Sequence, residues 1–147
     1  GHFVVEVDEP DLRCFLDPFH GGEVLDADEC FELARQATTL ELPDDPSYLE
    51  PVSKRQICMR ILNNLRTAYF RNGETSKAIR VLDLLIEAVP GSAEEYKQRG
   101  VCFAHQRRYA EARSDFESYL RLAPTAEDRA EVEAELHRIE RIIALRD

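Results

Sequence analysis

The feature that most constrains this chain is an offset of 34 residues that runs from Met59 to Pro124. Ala78 and Ala112 stand 34 apart, as do Pro90 and Pro124. The same offset relates Leu62 to Tyr96, Tyr69 to Phe103, Leu82 to Phe116 and Leu85 to Tyr119. A fixed period of this length marks a helical repeat whose unit is a helix–turn–helix. Apolar residues recur three and four apart in Ile57, Ile61, Leu65 and Ala68, and again in Ala78, Leu82, Leu85 and Ile86, which is the period of a helix face. Asn72-Gly73 reads as a helix-ending pair, because glycine takes the left-handed conformation without steric cost. Ser53 with Gln56, and Ser92 with Glu95, are spaced as capping boxes. Each proline follows a helix that it cannot continue.

These positions resemble the tetratricopeptide repeat. The second copy supplies Tyr96, Gly100, Phe103, Tyr109, Ala112, Phe116 and Pro124. It departs with Arg99 where that family has Leu and Tyr119 where it has Ala. The first copy supplies Leu62, Leu65, Tyr69, Gly73, Ala78, Leu82 and Pro90, and departs with Arg66 at the position where Gly lets the two helices close. A wider separation or a tilted arginine stem is expected there.

The front of the chain differs in charge. Residues 1–50 hold 14 acidic and 2 basic side chains, a balance of −12, within a total of −10. Residues 51–73 hold no acid and five bases: Lys54, Arg55, Arg60, Arg66 and Arg71. Solvated surface on both segments is the plain reading; packing of the acidic front on the basic helix is the sharper one, and it would weaken with salt. The net charge argues against nucleic acid as a nonspecific partner. No run of 18 apolar residues and no charged-then-apolar leader is visible, so no membrane span or secretion signal is expected. Cys14, Cys30, Cys58 and Cys102 have no metal or redox spacing. The last three fall at apolar, helix-like positions, where a thiol packs as a small hydrophobe. A reducing cytoplasmic setting without disulfides, metal or cofactor is expected.

Residues 2–7 and 12–17 read as two strands around an Asp8–Asp11 turn. Folded about four turn residues, Val7 faces Leu12, Cys14 faces Val5 and His2 faces Asp17, close enough for a hydrogen bond. His20 is a rival partner for Asp17, expected to be exposed, and Phe19 is a candidate buried anchor. A helix over roughly 27–38 is capped by Asp26 and Glu29. A proline-bearing connector over 39–50 is stapled by Tyr48 and Leu49, and a last helix spans 125–144.

The run Gly1-His2-Phe3, the hairpin, and Phe15-Leu16-Asp17-Pro18-Phe19 resemble the end of a transglutaminase-like domain. That resemblance implies a Cys-His-Asp triad in which His2 and Asp17 are the His and Asp. The longer run through Gly21-Gly22, Pro51-Val52-Ser53 and Asn63-Asn64-Leu65 is similar to a bacterial family that joins such a segment to tetratricopeptide repeats. Its members have been labelled transcriptional regulators. Neither Cys14, on the opposite strand face from Asp17, nor Cys30 is placed as the nucleophile, so a structural His2–Asp17 pair is expected.

The fold expected is mostly α: a tetratricopeptide-type α-α superhelical stack with a short N-terminal antiparallel β-hairpin. Residues 1–50 form the tail of a transglutaminase-like domain; residues 51–147 form two repeats and a capping helix. The family pattern implies a groove lined by Arg60, Asn63, Asn64, Thr67 and Arg71, then Lys97, Gln98, Val101 and His105. Asn and Lys there resemble groups that hold a peptide carboxylate; the paired Asn63 and Asn64 could instead serve within the chain. His105 and His137 read as surface residues. No phosphate loop, zinc pattern or DNA-reading helix pair stands out. The expected function is a noncatalytic module that binds a protein or peptide. The alternative is the C-terminal part of a transglutaminase-like thiol acyltransferase or protease.

Overall fold

The alternation of side chains in the first strands, and the placing of Pro10, set the front of the chain. The computed structural model describes residues 3–37, 43 and 45–145. The strands β1 (Val5–Glu9) and β2 (Leu12–Asp17) pair antiparallel, with Glu9 opposite Leu12 and Val5 opposite Leu16. Only Pro10 and Asp11 are left at the tip, since a residue without an N–H is tolerated in a turn. The turn is two residues shorter than the sequence suggested, so the register moves by two. Cys14 pairs with Val7, not Val5, and the same register carried on would set Asp17 across from Val4 instead of His2. A shift of two keeps every side chain on its face. His2 itself lies outside the described residues.

A third strand, β3 (Glu23–Leu25), was not anticipated; it pairs with β2 through Phe15–Leu25 and Asp17–Glu23. Gly21 and Gly22, at φ 72° and 82°, reverse the chain between the two. The helix α1 (Ala27–Ala37) follows. Its capping box forms as expected: Glu29 N–H donates to Asp26 Oδ1 at 2.9 Å, and Asp26 N–H to Glu29 Oε2 at 2.8 Å. Among the described residues of this unit, Phe15, Cys30 and Phe31 are the buried apolar ones, and Asp17 is also buried. Phe19, expected to be an anchor, is 57% exposed and meets Phe3 edge-on with ring centroids 5.1 Å apart. Tyr48, expected to staple the connector, is exposed.

The second compact unit starts at Lys54. It stacks α2 (Lys54–Arg71), α3 (Thr75–Ala88), α4 (Ala93–His105), α5 (Tyr109–Leu122) and α6 (Arg129–Ala144), each packed on the next. The last helix begins four residues later than the sequence suggested. One core runs through the stack, from Ala78, Leu82 and Leu85 through Phe103, Ala112, Phe116 and Tyr119 to Val132, Leu136 and Ile139. The pairs Ala78–Ala112, Leu82–Phe116 and Leu85–Tyr119, each related by 34, are buried in it, because each repeat sets the same face against its neighbour.

The two repeats differ at the glycine position. A Cβ on Gly100 would stand 2.9 Å from the Phe116 ring, so that ring of α5 lies directly on the α4 backbone there. In the first repeat the Arg66 stem leans across the repeat boundary, and its Nη1 donates to Glu95 Oε1 at 3.1 Å. Consistent with that bulk, α2 has no fully buried residue, whereas α4 buries Gly100, Cys102 and Phe103. Glu95 is therefore occupied by Arg66 and by the Ser92 hydroxyl, and the Ser92 capping box expected at α4 does not close on the backbone.

Candidate functional site

Two places carry the residues singled out by the sequence, and each lies within one unit. The first is the end of β2. Alternation along the strand puts Asp17 on the same face as Phe15, and its carboxylate is 1% exposed. Phe19 N–H donates to Oδ1 at 2.8 Å, and His20 Nδ1 donates to Oδ2 at 2.6 Å. The pair is built by three consecutive residues: Pro18 starts a short 3-10 turn that swings His20 back over the strand end. His20 is exposed, as expected, yet it is bonded to the buried carboxylate, which holds its imidazolium above the usual histidine range through that hydrogen bond and its charge. A cavity of about 300 Å³ opens beside the pair, lined by Glu23, Glu29 and Glu32 among others. Glu29 is committed to the helix cap, and Glu32 accepts from Arg35 and Gln36.

A thiol nucleophile needs a lowered pKa. Burial raises Cys30, and it pushes Cys102 up to about 11. All four thiols are free. Cys58, expected to pack, is exposed, because it lies on the wall of an open cleft between α2 and α3.

The second place is the side of the stack where the sequence pattern leads us to expect a groove. Arg60, Asn64, Thr67 and Arg71 fall at intervals of four, three and four, so they share one stripe of α2. The residues 34 further on, Glu94, Gln98, Val101 and His105, make the matching stripe of α4. Each stripe is exposed apart from the half-buried Gln98. Asn63 lies at the stripe's inner edge and donates from Nδ2 to the Met59 carbonyl of its own helix at 2.8 Å, while Thr67 Oγ1 donates to the Asn63 carbonyl.

Lys97 sits off the stripe, toward α6. Its ammonium lies 2.7 Å from Glu94 and 2.8 Å from Asp128, with the Tyr119 ring below at 5.2 Å. Burial lowers its pKa, but the hydrogen bonds it donates to Asp128 and Glu94 outweigh that and hold it above the ordinary lysine value. The Tyr119 hydroxyl also donates to Asp128. Lys97 thus ties α4 to the start of α6. Asp128 and Glu94 were missed in the sequence; Glu94 was findable, being 34 residues beyond Arg60. Arg99 makes the other network: Nε and Nη2 donate to the two oxygens of Asp115 at 2.8 Å each, and Nη1 donates to Asp83 at 2.7 Å.

Comparison with known proteins matches both places. Residues 1–63 match the sequence model of the transglutaminase-like superfamily, and residues 65–137 match that of the tetratricopeptide repeat. Two proteins named UPF0162 protein, from Xylella fastidiosa strains 9a5c and Temecula1, are each 35% identical over 128 residues, covering 85% of this chain. The chain spans about half the length of these relatives, 46% of each. Among solved structures, the first tetratricopeptide domain of Spaghetti (RPAP3) bound to the HSP90 peptide SRMEEVD is similar, with a TM-score of 0.50 and 26% identity. That match covers 56% of this chain and 64% of the other. The chain thus carries, in order, a segment that matches the transglutaminase-like superfamily and one that matches the tetratricopeptide repeat, and it is similar to the UPF0162 proteins over most of its length.

Proposed function

We propose that the chain is a noncatalytic protein-interaction module that takes a peptide or partner helix against the stripes of α2 and α4. The observation that carries this reading is the register match between those stripes: four positions on each helix, related by the repeat and turned away from the core. Side chains held on rigid helices at fixed spacing suit an extended or helical ligand. The similar RPAP3 domain, solved with a bound peptide, supports the class of ligand. In this reading Arg60, Asn63, Asn64, Thr67 and Arg71 serve the first half of the ligand, and Gln98, Val101 and His105 the second. Lys97 contributes by position, since its charge is already balanced by two carboxylates.

Photo-crosslinking from His105 and from Asn64 tests it, with Arg71→Ala combined with Val101→Arg as the disrupting variant. Both substitutions are at exposed positions and leave the core intact. The expected result is crosslinked protein or peptide from both positions, lost in the double variant. The same crosslinks in wild type and variant would remove the groove from consideration.

A second reading has its own observation. The buried Asp17 bonded to the His20 imidazole has the geometry of the orienting half of a thiol-hydrolase site, within the transglutaminase-like match, although the resemblance gives the histidine role to His2. In this reading the segment belongs to an acyltransferase or protease in a longer protein. Labelling the longer protein with an iodoacetamide probe at neutral pH separates the readings: a single fast-reacting cysteine outside the four present here favours the enzyme, and uniformly slow labelling favours the binding module.

A further inference from the structure

The first helix of the stack leaves a face that the groove does not use. Ile57, Ile61 and Leu65 recur every four residues along α2, and Leu84 stands beside them on α3. They are 45%, 52%, 37% and 51% exposed. A cavity of about 510 Å³ opens between the two helices, lined by Cys58, Ile61, Leu62, Leu84, Glu87 and Ala88, with almost wholly apolar walls. Within the unit, α4 packs on α3, α5 on α4 and α6 on α5, and these residues of α2 and α3 are left exposed. The α2–α3 face is the end of the stack, and none of the unit's own helices lies on it. Contiguous exposed apolar surface of this kind marks an interaction site.

The charges around the face choose the occupant. Lys54 lies one turn before Cys58, and Arg80 one turn before Leu84, each on the same side of its helix as the apolar residues. Both are exposed, and neither has a carboxylate partner among the described residues. No acid occurs in residues 51–73, and Glu87 is the one acid of the cavity wall. A second copy applying the same face would form a two-fold contact that sets Lys54 and Arg80 against their own counterparts or near them, which like charges oppose. A lipid surface is flat, whereas this face is a cleft of side-chain size. A ridge of residues four apart, beside a cleft, is what a packing helix fills.

We propose that the α2–α3 end face docks an amphipathic helix of a partner protein, apolar on the contact side and flanked by Asp or Glu opposite Lys54 and Arg80. Apolar burial holds the helix and the carboxylates select it over basic helices. The site is separate from the groove and stands whether or not the groove binds a ligand.

The test uses the full chain and two labelled peptides of about 16 residues, long enough to span the face as helices. Both carry Leu at helical spacing; the remaining positions are Glu-rich in one and Lys-rich in the other. Fluorescence anisotropy is expected to give binding of the Glu peptide at least about tenfold tighter than of the Lys peptide, a difference of about 1.4 kcal/mol. Ile61→Ser with Leu84→Ser should weaken the Glu peptide by about tenfold or more. Because both residues are half exposed, the thermal midpoint should hold. Lys54→Glu with Arg80→Glu should reverse the preference, and Val101→Arg in the groove should leave it unchanged. Equal binding of the two peptides overturns the proposal. So does dimerisation abolished by the Ile61 and Leu84 changes, or tighter binding to vesicles of anionic lipid than to the Glu peptide.

Discussion

At the scale of residues, the departures from the repeat pattern are the informative positions. Arg99 replaces an expected leucine, and it brings Asp115 into the interior with it: Asp115 is 4% exposed and accepts both guanidinium bonds. An interior carboxylate stripped of its cation is costly, so Arg99→Ala is expected to destabilise the stack by about 3–5 kcal/mol. Arg99→Leu combined with Asp115→Leu should recover most of that loss, because an apolar pair can replace a buried ion pair. Urea denaturation of the single and double variants checks both. His20 gives a second test. Its pKa is raised above 6.5 by Asp17, so the pair's contribution to stability is complete below the unfolded value and fades as pH rises through the folded one. NMR titration of the His20 ring should give a midpoint above 6.5, and Asp17→Asn should bring it down. A midpoint unmoved by that change would show the pair to be weak.

At the scale of elements, the turn inside each repeat is made the same way. After α2, Gly73 N–H donates to the Phe70 carbonyl and Glu74 N–H to the Tyr69 carbonyl. After α4, 34 residues on, Arg107 donates to Ala104 and Arg108 to Phe103. Gly73 has φ 68°, and Arg107 has φ 60°. The same left-handed conformation is free for glycine, but costs an arginine about 1–2 kcal/mol. Glycine also loses more freedom on folding, by roughly 0.5–1 kcal/mol. Arg107→Gly is therefore expected to stabilise the protein by about 0.5–1 kcal/mol, read as a higher melting temperature. This turn was legible, since Arg107 is the repeat mate of Gly73. The third strand was not: Glu23–Leu25 has three residues, too few for alternation to register, and it exists because β2 offers an edge.

At the scale of the whole molecule, the stack depends on its last layer. Val132, Leu136 and Ile139 are buried against α5, and Ile139 is fully enclosed. Two repeats alone bury too little, and a terminal helix with a polar back closes the core. Ile139→Ala should cost about 2–5 kcal/mol, comparable to a change at Leu82 in the middle of the stack. If calorimetry found it silent, α6 would be an appendage and not part of the cooperative unit.

The sequence by itself determined the repeat, the helix order, the α1 cap and the two matching stripes of α2 and α4, because each follows from spacing along one helix or from a fixed offset. Only the tertiary structure decided which of those groups remain available. The hairpin register depended on how many residues the turn at Pro10 uses, and His20 reached Asp17 through a three-residue turn. Lys97 met Asp128 across 31 positions, and Arg66 reached Glu95 across the repeat boundary. Pairing between groups distant along the chain is set by packing, which local pattern does not encode.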